Sequence, residues 1–150
     1  MKKLRIGIIG LGMGGAHADH YLTHPAAEIA AIADPDTNRL NKTGEKHRAA
    51  ARYTDGMAML KKEKLDVVSV ATPNKFHMPY TLAALRAGAH VLCEKPMAMN
   101  AAEARKMLAA ARQARRKLMI NFSFRFTPQS WALKKQADTG ILGNIYFARS

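Results

Sequence analysis

Three short stretches hold the side chains able to do chemistry. In "AGAHVLCEKPMAMN", residues 87–100, Glu94, Lys95 and Pro96 stand directly behind an apolar run that reads as a buried strand. An ammonium held in a crevice donates a hydrogen bond to a reacting oxygen and offsets negative charge that gathers there, which makes Lys95 the candidate catalytic residue. Glu94 either orients that lysine or pairs with it. An arbitrary Glu-Lys pair would be a solvated surface feature worth under about 1 kcal/mol. Here the pair falls at a strand's carboxyl end and before a proline, where a crevice is expected.

The second stretch is "IGIIGLGMGGAHADHYL", with Gly10, Gly12 and Gly15 in G-x-G-x-x-G spacing behind a strand and ahead of a helix. The first glycine permits the tight turn, the second lets a pyrophosphate reach the backbone, and the third is expected to let helix and strand pack closely. Free N–H groups in the first helical turn, around Met13, and the helix dipole favour an anion there. Asp34 follows the second strand, where an acid bonds an adenosine ribose. A 2′-phosphate near its carboxylate would be repelled by on the order of 1 to 4 kcal/mol at 4 Å. NAD is therefore the expected cofactor, with NADP possible if Arg39 and Asn38 reach the ribose.

The third stretch, "VSVATPNKFHMPYTLAALRAG", ends a strand on Thr72, Pro73 and Asn74 and opens a helix carrying His77. In a doubly wound sheet, ligands sit outside the carboxyl ends of the strands, so this loop and Glu94-Lys95 should line one crevice.

The elements that must position these residues follow from hydrophobic periodicity. Apolar, β-branched runs alternate with segments of period 3.6, which argues for α/β architecture: a Rossmann, doubly wound parallel sheet. Strands are expected at about residues 4–9, 28–33, 66–71, 89–93 and 118–122, with a short one near Tyr53. Helices are expected at about 14–24, 36–48, 56–63, 76–87 and 100–116, with Asn100 as an N-cap and Gly88 as a stop. After Phe126 the pattern changes to a helix from near Pro128 to Gly140 and then a strand, "NIYFARS". Residues 1–122 thus read as a dinucleotide-binding domain, and 123–150 as the start of a truncated second α/β domain whose remainder is absent.

Composition narrows the classes. Lys and Arg total 24 against 11 Asp and Glu, a net charge of +13. Such a balance can mark nucleic-acid binding, but in "NAAEARKMLAAARQARRKL" the apolar positions recur at helical spacing and no aromatic interleaves the charges. A solvated basic helix face accounts for it, and no nucleic-acid partner is expected. The single cysteine, Cys93, allows no intrachain disulfide and reads as an inert buried thiol, in keeping with a reducing, cytoplasmic location. No run reaches the ~18 apolar residues that would span a bilayer. His17, His20 and His24 fall on one helix but lack a second-segment ligand, so no metal site is expected. Phe122, Phe124 and Phe126 alternate as a strand would.

Gly10-x-Gly12-x-x-Gly15, Thr72-Pro73-Asn74-x-x-His77, "AGAHVLCEKPMA" and "NFSFRFTP", in that order over essentially the whole chain, resemble the Gfo/Idh/MocA oxidoreductases. The resemblance implies an NAD(P)-dependent enzyme that moves a hydride between nicotinamide and a hydroxyl of a sugar, cyclitol or related polyol. It implies that Lys95 sits beside the nicotinamide and bonds the substrate hydroxyl. Pro96 would follow a cis peptide bond, and Asn74 and His77 would line the nicotinamide end of the cofactor. Arg125 matches an arginine near the domain junction. Where the second domain is present, a homo-oligomer is expected. The family's proton-accepting histidine comes from that second domain, so the alternative is a catalytically silent module that binds a dinucleotide or a partner.

Overall fold

The computed structural model describes residues 2–147. Six parallel strands form one sheet: β1 (Leu4–Ile9), β2 (Ala27–Ala33), β3 (Ala51–Tyr53), β4 (Val67–Val70), β5 (His90–Cys93) and β6 (Leu118–Ile120), in the order β3-β2-β1-β4-β5-β6. Helices α1 (Leu11–Thr23), α2 (Thr37–Lys46), α3 (Gly56–Lys62), α4 (His77–Arg86) and α5 (Ala101–Ala114) make the crossovers. A last helix, α6 (Pro128–Asp138), follows β6.

Alternation along the strands divides the core in two. Ile6, Ile8, Ile29 and Ile32 pack with Leu11, Ala18 and Leu40 under α1 and α2. Ile9, Ala31, Ala33, Val68, Val70, Val91 and Cys93 pack with Met59, Leu85 and Met107 under α3, α4 and α5. A central parallel strand is covered on both faces, which is why these runs read as almost continuously apolar. Burial also pushes the Cys93 thiol up to about 11, so it is an inert packing group as expected.

Caps fix where several helices begin. The Asp36, Asp55 and Asn100 side chains accept first-turn N–H groups of α2, α3 and α5. Gly88, with φ 88°, lies just beyond the end of α4.

Four expectations are corrected. α1 starts at Leu11 rather than near 14, because the positive φ of Gly10 (85°) turns the chain straight into the helix. β6 stops at Ile120, and Ser123–Phe126 forms a 3-10 turn, so the three phenylalanines do not alternate along a strand. Within the described part of "NIYFARS", residues 144–147 form no strand; residues 148–150 lie outside the described residues. No sheet edge pairs with that segment, and Tyr146 is almost wholly exposed. Among the described residues no helix is long and apolar enough to cross a membrane, and no group of three or more His, Cys, Asp or Glu could hold a metal.

Candidate functional site

The ladder of backbone hydrogen bonds continues one residue past the strand ends. Gly10 N–H donates to Ala33 O (2.8 Å), Asp34 N–H to Tyr53 O (3.1 Å), Ala71 N–H to Ile9 O (2.8 Å), Glu94 N–H to Val70 O (2.9 Å) and Asn121 N–H to Cys93 O (2.8 Å). These bonds draw the glycine turn, the acid after β2, the loop after β4 and the charged segment after β5 into one row along the sheet's carboxyl edge. The strand order reverses between β1 and β4, so the loops that follow those two strands leave toward opposite faces and open a crevice between them.

At the glycine turn, Gly10 could not be another residue. Its φ is positive, and a Cβ there would stand 2.5 Å from Ala71 O. As N-cap of α1 it has no side chain to offer the first turn. Leu11 N–H is taken instead by Asp34 Oδ2 at 2.7 Å, and the N–H groups of Gly12 and Met13, two of the four a helix start leaves without an intrahelical acceptor, sit on exposed residues. The space over Gly15 is open, with nothing within 4 Å of a Cβ there. The close helix-to-strand approach expected at Gly15 occurs at Gly14, where a Cβ would meet Ile8 Cγ2 at 2.8 Å.

Asp34 is buried, and both its oxygens accept backbone N–H groups: Oδ2 that of Leu11 and Oδ1 that of Asp36 at 2.8 Å. The Arg39 guanidinium approaches from α2, 4.0 Å from Asp34 Oδ2 and bonded to Asp36.

Across the crevice, Thr72 Oγ1 is shielded and without a hydrogen-bond partner among the described residues. Pro73 and Asn74 are exposed at the start of a 3-10 turn. His77 is fully buried: Nδ1 lies 2.8 Å from Pro96 O and Nε2 2.8 Å from Thr72 O. The ring straps the loop after β4 to the one after β5 and presents no free nitrogen to the crevice.

The Lys95–Pro96 bond is cis. Glu94 neither pairs with the Lys95 ammonium nor faces solvent. Its Oε1 takes Asn121 Nδ2 at 2.7 Å and His17 Nε2 at 3.0 Å, and its Oε2 accepts the Lys95 backbone N–H at 3.1 Å. His17 Nδ1 lies 2.5 Å from Ser69 Oγ. The Lys95 side chain is exposed, and among the described residues its ammonium makes no ion pair or hydrogen bond. Sequence reasoning missed His17, Ser69 and Asn121 as members of the site. One signal was available: His17 stands three residues after Gly14 and one before Ala18, on the buried stripe of α1, whereas His20 and His24 are exposed.

Beyond β6, Phe122, Phe124, Phe126 and Trp131 border an open apolar groove of about 860 Å³.

A family model described as "Oxidoreductase family, NAD-binding Rossmann fold" (GFO_IDH_MocA) matches residues 4–122. The chain is 41% identical over 145 residues to the D-glucoside 3-dehydrogenase of Escherichia coli K12, covering 95% of this chain and 41% of that protein. It is 34% identical over 145 residues to the inositol 2-dehydrogenase of Rubrobacter xylanophilus, covering 95% and 42%. The crystal structure of scyllo-inositol dehydrogenase from Lactobacillus casei with bound NAD(H) and scyllo-inositol superposes with a TM-score of 0.90 at 27% identity, covering 96% of this chain and 43% of that one. The chain thus spans less than half the length of these relatives.

Proposed function

This chain belongs to the Gfo/Idh/MocA family of NAD-binding Rossmann-fold oxidoreductases, and from that premise we propose that it is the nucleotide-binding part of a dehydrogenase acting on a hydroxyl of a sugar, cyclitol or related polyol. The observation that carries the reading is the shared carboxyl edge. The helix start at Gly10–Gly12, with Asp34 beside it, follows β1, and the Lys95 ammonium, unpaired among the described residues, stands just past the end of β5, two strands away.

The residues present fit a dinucleotide. The open space over Gly15, the first-turn N–H groups of α1 and Thr72 Oγ1, without a partner among the described residues, are features a phosphate-bearing ligand would use. Gly10, Gly12, Met13 and Gly15 would hold the pyrophosphate, and Asp34 the adenosine ribose through its remaining lone pairs. Thr72, Pro73 and Asn74 would line the opposite wall, with His77 keeping that loop in place and Glu94 fixing the backbone of Lys95. Bound NAD supplies the hydride acceptor. Lys95 donates a hydrogen bond to the substrate oxygen and offsets the negative charge that gathers there. None of these 150 residues is assigned as proton acceptor.

In this reading residues 1–122 form the cofactor domain, since β6 closes the sheet, and 123–150 open a second domain, which the exposed aromatic groove supports. A single buried thiol supports a reducing location such as the cytoplasm.

Thermal-shift titrations with NAD and NADP test the proposal on this chain directly. Millimolar NAD should raise the melting temperature; no stabilisation by either dinucleotide would sink the reading.

A further inference from the structure

The acid after β2 has a cation beside it whose role the nucleotide reading leaves open. Arg39 donates through Nε (3.1 Å) and Nη2 (3.0 Å) to Asp36 Oδ2. Its Nη1 lies 4.0 Å from Asp34 Oδ2 and 3.4 Å from where a Cβ on Gly12 would stand. The guanidinium therefore spans from the ribose acid to the glycine turn, while half of the side chain, 51%, stays open to solvent. Asp34 and Asp36 have no other cation within 4.0 Å among the described residues.

The two acids differ in what they can release. Both oxygens of Asp34 are committed to backbone N–H groups, so this carboxylate is fixed in place. Asp36 uses Oδ1 to cap α2, accepting from Asn38 and Arg39 N–H, and spends Oδ2 on the arginine alone. Hydrogen bonds from the Arg39 backbone and side chain hold the Asp36 carboxyl below the usual carboxylate range, which keeps it charged at neutral pH.

We propose that Arg39 and Asp36 together set which dinucleotide the site accepts: Arg39 is the group that engages a 2′-phosphate, and Asp36 restrains it so that NAD is preferred. A planar guanidinium matches a phosphate through paired N–H bonds, but one already forked onto a carboxylate must leave it first. The inference rests on the nucleotide reading above. It adds that Asp34 alone does not set the preference.

The test is calorimetric titration of this chain with NAD and NADP, together with the fragments ADP and 2′,5′-ADP, which isolate the adenosine end. Asp36→Asn keeps an N-capping oxygen and removes the charge. Wild type should bind NAD about tenfold or more tighter than NADP, the scale of one unscreened like-charge contact near 4 Å. Asp36→Asn should narrow that gap by about tenfold, and adding Arg39→Ala should reopen it. Arg39→Ala alone should weaken NADP and 2′,5′-ADP while leaving NAD and ADP nearly unchanged; it carries the test if Asp36→Asn does not fold. An unchanged gap in Asp36→Asn overturns the inference. So does a double variant that keeps the narrowed gap, since the repulsion of Asp36 would then suffice without the arginine. If wild type binds neither dinucleotide, the nucleotide reading itself has failed.

Discussion

His17 Nε2 sits 3.0 Å from Glu94 Oε1, with both side chains shielded from water. One residue belongs to the helix that starts at the glycine turn, the other to the strand end that carries Lys95, so the pair fastens the two walls of the carboxyl edge together. Asn121, just past the end of β6, bonds the same oxygen, and the Lys95 N–H takes the other. Glu94 thus acts on Lys95 through the backbone, as a holder of the loop. Burial alone would raise its pKa, but the hydrogen bonds from Asn121 and His17 outweigh that and leave it below the usual carboxylate range.

Removing this carboxylate strands three partners at once. Glu94→Ala leaves His17, Asn121 and the Lys95 N–H short of an acceptor, and breaking a buried pair from one side typically costs 3 kcal/mol or more, roughly. Urea unfolding of wild type and variant should show a lower midpoint with an unchanged slope. A shift under about 0.5 kcal/mol, the scale of ordinary surface substitutions, would mean the network contributes little.

The same carboxylate should make stability fall in acid. Its folded pKa is depressed, so its contribution is fully present above its unfolded value, near 4.5, and is lost as the pH falls through the lower folded value. Between pH 5 and 3, roughly, wild type should lose more stability than Glu94→Gln, which has no charge to lose there. Parallel curves for the two proteins would contradict the sign of the shift.

The two adjacent glycines of α1 should respond in opposite ways. A Cβ on Gly14 meets Ile8 Cγ2 at 2.8 Å, and a Cβ on Gly15 meets nothing within 4 Å. Gly14→Ala should destabilise, with overpacking of about 1–3 kcal/mol set against the helix propensity it gains. Gly15→Ala should stabilise the apo protein by up to about 1 kcal/mol. Thermal melts decide it; the reverse order would restore the packing role to Gly15.

Lys95→Ala should separate chemistry from binding. Its ammonium makes no hydrogen bond or ion pair among the described residues, so unfolding and NAD titration should change little on this chain. In a protein of the relatives' full length, turnover of a polyol should drop by at least ~100-fold, the usual scale of one positioned proton donor or charge stabiliser. An unchanged rate would show that the lysine is surface decoration.

Much of the fold was legible because a parallel sheet writes its strands as apolar runs and its crossovers as period-3.6 segments. The strand runs at 4–9 and near 28–33, 66–71 and 89–93 all became strands within two residues at either end, and Asn100 capped α5 as its position implied. The start of α1 was misjudged because three glycines in its first five residues lower helix propensity, while the positive φ of Gly10 commits the chain to turn there anyway. Ser123–Phe126 was misjudged because an alternation of phenylalanines looks like a strand wherever no partner strand can be checked for.

By itself the sequence determined which residues reach the carboxyl edge. The turn after β1, Asp34, Thr72–Asn74 and Glu94-Lys95 all follow strands of one parallel sheet, and parallel strands share their carboxyl ends. Only the tertiary structure decided what those side chains bond to. Glu94 turns inward to His17, Ser69 on β4 bonds the other nitrogen of that histidine, and Asn121, just past β6, bonds Glu94, across sequence separations of 27 to 77 residues. His77 spends both ring nitrogens on carbonyls, and Arg39 settles on Asp36. Local pattern cannot predict such pairings: burial makes an unpaired polar group costly, and the partner that removes that cost is set by which strands lie side by side.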